Sequence, residues 1–227
     1  MPPVGHLINP GFGTEIIYSF IIIICSLMVY FGTKELYELS NHKGIKYFRQ
    51  AFLFFAIAYL FRSIIKFFLV FFNIGRVFEF TPRGLGIITL FLFMYFSSMA
   101  VFYLIYSVMW KKWNKDSNII YLFHLLAFII ALVSIVSKSG LIYLALNVLL
   151  LIFIILVVFI AYNNSKNKKK RHNMYIIYVL LSIFWILNIL DILIPSFLQT
   201  FKLFIYLVSI VIFLLILYKV LTKTGSG

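Results

Sequence analysis

The chain of 227 residues is 64% hydrophobic and 20% aromatic, and only 11% of its residues are charged. Soluble domains carry about 25% charged residues, so no soluble fold of this length could hide so much apolar surface. The apolar residues fall into runs of about 20, the length that a helix needs to cross about 30 Å of hydrocarbon. These runs are apolar on every face, unlike the alternating strands of a membrane barrel. The sequence therefore predicts an all-α, polytopic membrane protein.

The formal net charge of +14 comes from 20 Lys and Arg residues against 6 Asp and Glu residues. Clustered basic residues can indicate nucleic-acid binding, but here they stand in short segments between apolar runs. Membrane insertion imposes this distribution on cytoplasmic loops. We therefore expect no nucleic-acid partner. The expected partners are the lipid bilayer and the anionic lipid headgroups at its cytoplasmic face.

Seven apolar runs can be marked along the chain, and each predicts one membrane-spanning helix. Their approximate bounds are 15–33, 47–72, 85–110, 119–137, 140–162, 174–195 and 199–221. The connecting loops, such as the first one from Thr33 to Arg49, are short, which favours a bundle of sequentially neighbouring helices. Residues 1–223 should form this single domain. Residues 224–227 resemble a linker remnant and take no part in the functional argument.

Basic residues are distributed unequally between the two sides of the predicted membrane domain. An odd number of spans, seven, also places the two chain termini on opposite sides. One side holds four basic residues, Arg76, Arg83, Lys138 and Lys202. The other side holds fourteen, which are Lys34, Lys43, Lys46, Arg49, Lys111, Lys112, Lys115, Lys166, Lys168, Lys169, Lys170, Arg171, Lys219 and Lys223. Because basic loops stay in the cytoplasm, the N-terminus should be outside and the C-terminus inside a cell membrane.

The sequence holds no motif of known catalytic chemistry. Phosphate-binding loops, zinc-protease motifs, serine-hydrolase motifs and cysteine pairs do not occur, and the single cysteine lies in the first apolar run. The histidines stand on separate segments and cannot all meet at one metal; they are His6, His42, His124 and His172. We therefore expect no catalytic residue, no metal site and no cofactor, and an enzyme is the least favoured class.

Two cations, Arg62 and Lys66, interrupt the second apolar run. A cation in hydrocarbon costs about 2.5–3.5 kcal/mol, so it normally finds a partner, a water-filled cavity or the interface. Arg62 lies about 20 Å beyond Arg49 along the second helix, and Asp191 lies about 25 Å beyond Met174 along the sixth. Arg62 and Asp191 should therefore share one depth in the outer half of the membrane, where an ion pair between them removes the cost of either isolated charge.

Other polar side chains belong to the same predicted layer. Asn188 lies one turn below Asp191, Asn147 lies one to two turns inside the fifth helix, and Glu15 lies at the outer end of the first. Together with the two cations they predict an outward-facing polar pocket for a small-molecule ligand, which Tyr59 could help to line. The ion pair would form its floor, and Glu15 and Lys66 would lie nearer its mouth.

The alternative is that the long cationic side chains extend to the outer headgroups and that Asp191 reaches the surface near Pro195. This reading is favoured for Lys66, which lies one turn nearer the outer surface. A protein partner or a water-filled pocket is favoured for Arg62, which is deeper by about 6 Å.

Three classes of seven-helix protein can be compared with this chain. Retinal proteins need a lysine in the middle of the last helix, and Phe204–Leu217 contains none. Small sugar transporters with two three-helix repeats around a linker helix share the helix number, but transporters break their helices with Gly or Pro, and the prolines here lie outside the predicted helix interiors. The architecture resembles the seven-helix input regions of some bacterial sensor proteins. The sequence therefore favours a sensor or receptor-like protein, with a small-molecule or ion transporter or channel of 3+1+3 organisation as the alternative.

The predicted orientation can be tested with single cysteines in a variant that lacks Cys25. Cysteines in place of Arg76 or Lys138 should react with an impermeant thiol reagent applied to intact cells, because these positions lie on the side with few basic residues. Cysteines in place of Lys112 or Lys169 should react only after permeabilisation. The opposite pattern would reverse the orientation and place the polar layer in the cytoplasmic half.

Overall fold

The computed structural model describes residues 12–74, 81–113, 118–137, 139–165, 172–194 and 198–224. These residues form seven long helices and one short one, and none of them is in a strand. The helices are α1 (Phe12–Gly32), α2 (Lys34–Ser40), α3 (Lys43–Ile74), α4 (Thr81–Trp113), α5 (Ile119–Val136), α6 (Gly140–Ser165), α7 (His172–Leu193) and α8 (Gln199–Thr224). The predicted all-α class is confirmed for this described part of the chain.

Six helical segments in the described ranges are long and apolar enough to cross a membrane. They are 13–40, which runs through α1 and α2, and then 86–113, 119–136, 140–164, 174–193 and 200–222. Large apolar side chains are exposed along most of them, for example Leu125, Ile129, Ile152 and Phe204. Apolar side chains on the outside of a helical bundle are suited to contact with lipid. The chain is therefore a multi-pass membrane protein.

α3 is the long helix outside this set of six. It carries five basic residues, three near its start and two in its second half, which are Lys43, Lys46, Arg49, Arg62 and Lys66. The stretch between these two groups lies inside the bundle, where Phe52 and Phe55 are buried. A seventh span through α3, and the orientation of the termini, therefore stay predictions.

The connection predicted as a loop over 33–49 is largely helical. Residues 34–40 form α2, because Lys, Glu and Leu are strong helix formers. Nζ of Lys34 also lies 3.8 Å from Oε1 of Glu38, one helical turn further along. α2 ends at Ser40, because the next residue, Asn41, has a φ of 48°, the left-handed conformation that stops a helix. α3 and α4 each begin four residues earlier than predicted, since the polar residues that flank an apolar run continue the helix.

The long helices pack mostly in chain order and close into a ring. α3 packs between α1 and α4, α7 packs between α6 and α8, and the ring is closed where α1 contacts α8 and where α4 contacts α6. α5 contacts α4 and only slightly contacts α6, so it lies outside the ring. The expected bundle of sequentially neighbouring helices is therefore present, with α5 as a peripheral member.

Aromatic side chains fill the inside of the ring where α3, α7 and α8 face one another. Phe184 and Phe213 pack edge to face with ring centroids 4.8 Å apart, and Phe52 contacts Phe213 in the same manner at 6.1 Å. Phe55 packs against Trp185 at 6.1 Å. Edge-to-face contacts suit the charge distribution of aromatic rings. The middle of the ring is thus closely packed and apolar.

Candidate functional site

Arg62 of α3 and Asp191 of α7 form an ion pair. Nη2 of Arg62 lies 2.7 Å from Oδ2 of Asp191, and the two side chains are only 18% and 10% exposed. Charge-assisted bonds of this kind are short and about twice as strong as neutral ones. The structure therefore brings together the two charges that the sequence places at one depth on separate helices. Each charge removes the cost of leaving the other alone in apolar surroundings.

Asn188 of α7 is the second partner of Arg62. Nη1 of Arg62 donates a hydrogen bond of 3.0 Å to Oδ1 of Asn188, and the hydroxyl of Tyr59 donates one of 2.7 Å to the same oxygen. The amide nitrogen of Asn188 donates to the backbone carbonyl of Phe184 at 2.9 Å. Both ends of this amide are therefore engaged, which fixes its oxygen toward the guanidinium.

Aromatic rings from α1 and α3 flank the guanidinium of Arg62. Its Cζ lies 5.7 Å from the ring centroid of Tyr18 and 5.5 Å from that of Tyr59. The two tyrosine hydroxyls are 3.2 Å apart, and the ring of Tyr18 stacks on Tyr206 of α8 at 4.7 Å. The negative faces of aromatic rings attract a cation within about 6 Å. The rings therefore add to the stabilisation of the charge.

Tyr206 connects the ion pair to a second carboxylate. Its hydroxyl lies 3.0 Å from Oε1 of Glu15 on α1 and 3.0 Å from Oδ1 of Asp191. A phenol carries one proton, so it cannot donate a full hydrogen bond to both oxygens at once. The phenol therefore bonds to one carboxylate at a time or divides its proton between the two in a bifurcated hydrogen bond.

These contacts form one connected set of side chains, which we call the polar network. It joins α1, α3, α7 and α8, and its members are Glu15, Tyr18, Tyr59, Arg62, Asn188, Asp191 and Tyr206. It lies near the end of the ring at which α1 and α8 begin. An exchange of partners at any one of its charged groups would change contacts between helices.

Two residues predicted for the same pocket are not joined to the polar network by the hydrogen bonds that the structure describes. Asn147 of α6 is buried, and its amide donates to the backbone carbonyl of Tyr143 at 2.9 Å. Its own backbone carbonyl accepts a bond of 3.1 Å from Nε1 of Trp185. Lys66 continues α3, and its side chain lies outside the described part of the structure. The role of both residues in a ligand pocket stays a prediction.

Tyr18 and Tyr206 are the network members that the sequence reasoning missed. Tyr18 follows Glu15 by three residues and so shares its face of α1. Tyr206 lies seven residues after the start of α8, or about 10 Å inside it, a depth similar to that of Asp191 near the end of α7. A comparison of depths along the helices could have found both residues. Tyrosines are common in this chain, however, so a tyrosine in a predicted span indicates a polar site less specifically than a charged residue does.

No protein-family model matches this chain, and no solved structure matches it. Part of the chain is similar to an uncharacterized protein of Archaeoglobus fulgidus. The two are 31% identical over 115 residues, which are 49% of this chain and 47% of that protein. The matched region thus spans about half the length of the curated relative. This similarity carries no stated activity or ligand.

The coupling between Arg62 and Asp191 can be measured with a double-mutant cycle. Arg62→Met or Asp191→Asn alone should lower the free energy of unfolding by about 3–5 kcal/mol, and by less if water enters, because each leaves an uncompensated charge or polar group. The double variant should lose less than the sum of the two, as measured by unfolding in detergent. The exposed pair of Lys34 and Glu38 on α2 is the matched control, and its cycle should give a coupling near zero. Additive effects at Arg62 and Asp191 would contradict the pairing.

Tyr206→Phe tests the link between the two carboxylates. The variant keeps the ring that stacks on Tyr18 but removes the hydroxyl between Glu15 and Asp191, so it should lower the free energy of unfolding by about 1.5–3 kcal/mol, as for a hydrogen bond to a charged group. Tyr218→Phe on the exposed face of α8 is the control and should change stability little. Equal effects of the two substitutions, measured by the same unfolding assay, would show that the hydroxyl of Tyr206 contributes nothing.

Proposed function

We propose that this chain is a seven-helix membrane sensor or receptor-like protein and that the polar network is its responding element. The observation that carries the proposal is that Arg62 and Asp191 hold α3 to α7 while Tyr206 holds α8 to α1. A ligand shifts a conformational equilibrium only if it binds one state better than the other. A molecule that takes the place of Asp191 beside Arg62 would shift the equilibrium in this way. It would bind best to the state in which Arg62 and Asp191 no longer join α3 to α7.

The chemistry of the polar network indicates the kind of ligand. Arg62 presents a planar set of N–H donors that suits a carboxylate or a similar small anion, and hydroxyl groups of Tyr59 and Tyr206 lie beside it. Glu15 and Asp191 disfavour a large excess of negative charge. We therefore propose a small polar molecule with a single acidic group.

The described helices support a sensor because they are unbroken. Pro82 is the only proline inside them, and it stands in the first turn of α4, where a proline is tolerated. The rings of Phe52, Phe184 and Phe213 fill the middle of the ring. Transporters commonly use discontinuous helices near the membrane midplane. A closely packed bundle fits a receptor that transmits small shifts between helices.

A transporter of 3+1+3 organisation is the second candidate, and the position of α5 favours it. The helices α1, α3 and α4 form one set of three, α6, α7 and α8 form another, and α5 connects the two sets from outside the ring. Arg62 belongs to the first set and Asp191 to the second. In this candidate, breaking the ion pair would allow one set to rock against the other.

The two candidates can be separated by measuring ligand stabilisation and flux on the same protein. For a sensor, a screen of small carboxylates should find a compound that raises the unfolding temperature in detergent, because binding to the native state alone stabilises it by mass action. Liposomes containing the protein should show no flux of that compound above protein-free liposomes. Arg62→Met should abolish the stabilisation, and Lys46→Gln, an exposed basic position on the same helix, should retain it.

The opposite results have definite meanings. Saturable flux that Arg62→Met abolishes would support the transporter. Stabilisation that is equal in Arg62→Met and Lys46→Gln would overturn the role of the polar network in ligand binding.

A further inference from the structure

A cavity of about 370 Å³ lies at the end of the ring opposite to the polar network. It is enclosed by the start of α3, the end of α4, the end of α6 and the start of α7, and we call it the basic cavity. Its lining includes His42, Trp110, Lys111, Lys112, Asn164 and Tyr175. Its volume lies within the range of about 300–1,000 Å³ that is typical of ligand pockets.

The charges around the basic cavity are of one sign. Lys111 and Lys112 stand at its rim and are exposed, and His42 contributes a third group that can carry positive charge. None of the described residues that line it is acidic. Cations arranged around a partly enclosed space attract an anion more strongly than cations on an open surface, because the low-dielectric walls concentrate the field.

The walls of the basic cavity are apolar, and its more buried part carries hydroxyl groups. Val108, Ile160 and Met174 contribute apolar surface. The hydroxyls of Ser107 and Tyr178 are buried and lie 3.0 Å apart. These hydroxyls bond within the protein, because Ser107 donates to the carbonyl of Leu104. The basic cavity therefore combines a positive rim with apolar walls, which suits a ligand with an anionic head and an apolar portion.

The rim of the basic cavity is held in place by a close contact at Gly44. A Cβ atom at this position would lie 2.8 Å from the backbone oxygen of Ser107 and 2.9 Å from both Cδ1 of Trp110 and Cε1 of His42. Only glycine allows this approach of α3 to α4. The rings of His42 and Trp110 pack edge to face with centroids 4.8 Å apart, and Nζ of Lys111 lies 5.6 Å from the centroid of Trp110. The positive groups are thus arranged on a fixed support.

We propose that the basic cavity binds a phosphate group, carried either by an acidic phospholipid or by a small soluble phosphate ester. The lysine ammonium groups would bind the phosphate oxygens, and the apolar walls would accept the carbon atoms that adjoin the phosphate. This site is independent of the polar network, which lies about 30 Å away along α3, measured from His42 to Arg62 at 1.5 Å per residue.

The test measures how three probes stabilise the full chain in detergent as a function of their concentration. The probes are short-chain phosphatidylglycerol, short-chain phosphatidylcholine and glycerol 3-phosphate. Phosphatidylglycerol should raise the unfolding temperature at lower concentration than phosphatidylcholine, because its net charge is negative. The Lys111→Gln/Lys112→Gln double variant should bind phosphatidylglycerol about tenfold or more weakly. Both lysines are exposed, so the variant should keep the unfolding temperature of the unliganded protein.

The control is Lys46→Gln/Lys219→Gln, which removes two charges from the same end of the bundle but outside the basic cavity; its affinity for phosphatidylglycerol should be unchanged. If glycerol 3-phosphate binds with the same dependence on Lys111 and Lys112, the phosphate group itself is recognised and a soluble ester is a ligand. If only the lipid binds, the ligand is a phospholipid headgroup. Equal weakening in both double variants, or equal binding of the two lipids, would overturn the proposal.

Discussion

The free-energy cost of a charge in apolar surroundings governs one end of this bundle. Arg62 is fixed on a helix whose neighbours are apolar, and its charge is compensated by Asp191, by the amide oxygen of Asn188 and by the faces of two tyrosine rings. None of these partners lies on α8, yet Tyr206 brings that helix into the same set of bonds through its contacts with Asp191 and Glu15. One cation and its partners thus connect four helices, because the charge is stabilised only where such partners lie beside it.

The aromatic middle of the ring separates this charged end from the basic cavity at the other. Phe52, Phe184 and Phe213 occupy the space that a continuous polar path would need. The two polar regions can therefore influence each other only through movements of the helices that carry them, and α3 and α7 contribute to both regions. A movement of α3 relative to α7 would therefore alter both regions together.

The sequence allowed the helix order and the depth of each charge to be predicted, because depth along a helix follows from counting residues. This is why the contact between Arg62 and Asp191 could be expected. Asn147 has a suitable depth, but its amide bonds to its own helix. The sequence did not predict this, because counting residues gives the depth of a side chain and not the direction in which it points. The helix over 34–40 was missed because a short polar segment between two apolar runs reads as a loop, although its residues favour helix.

The position of α5 outside the ring has a consequence for symmetry. The ring order is α1, α3, α4 in one half and α6, α7, α8 in the other, and the side chains of the middle helices, α3 and α7, meet inside the ring. Two identical halves would place arginine opposite arginine, or aspartate opposite aspartate, where these helices meet. A single chain is free of that constraint. Only because its halves differ in sequence can Arg62 of one half face Asp191 of the other.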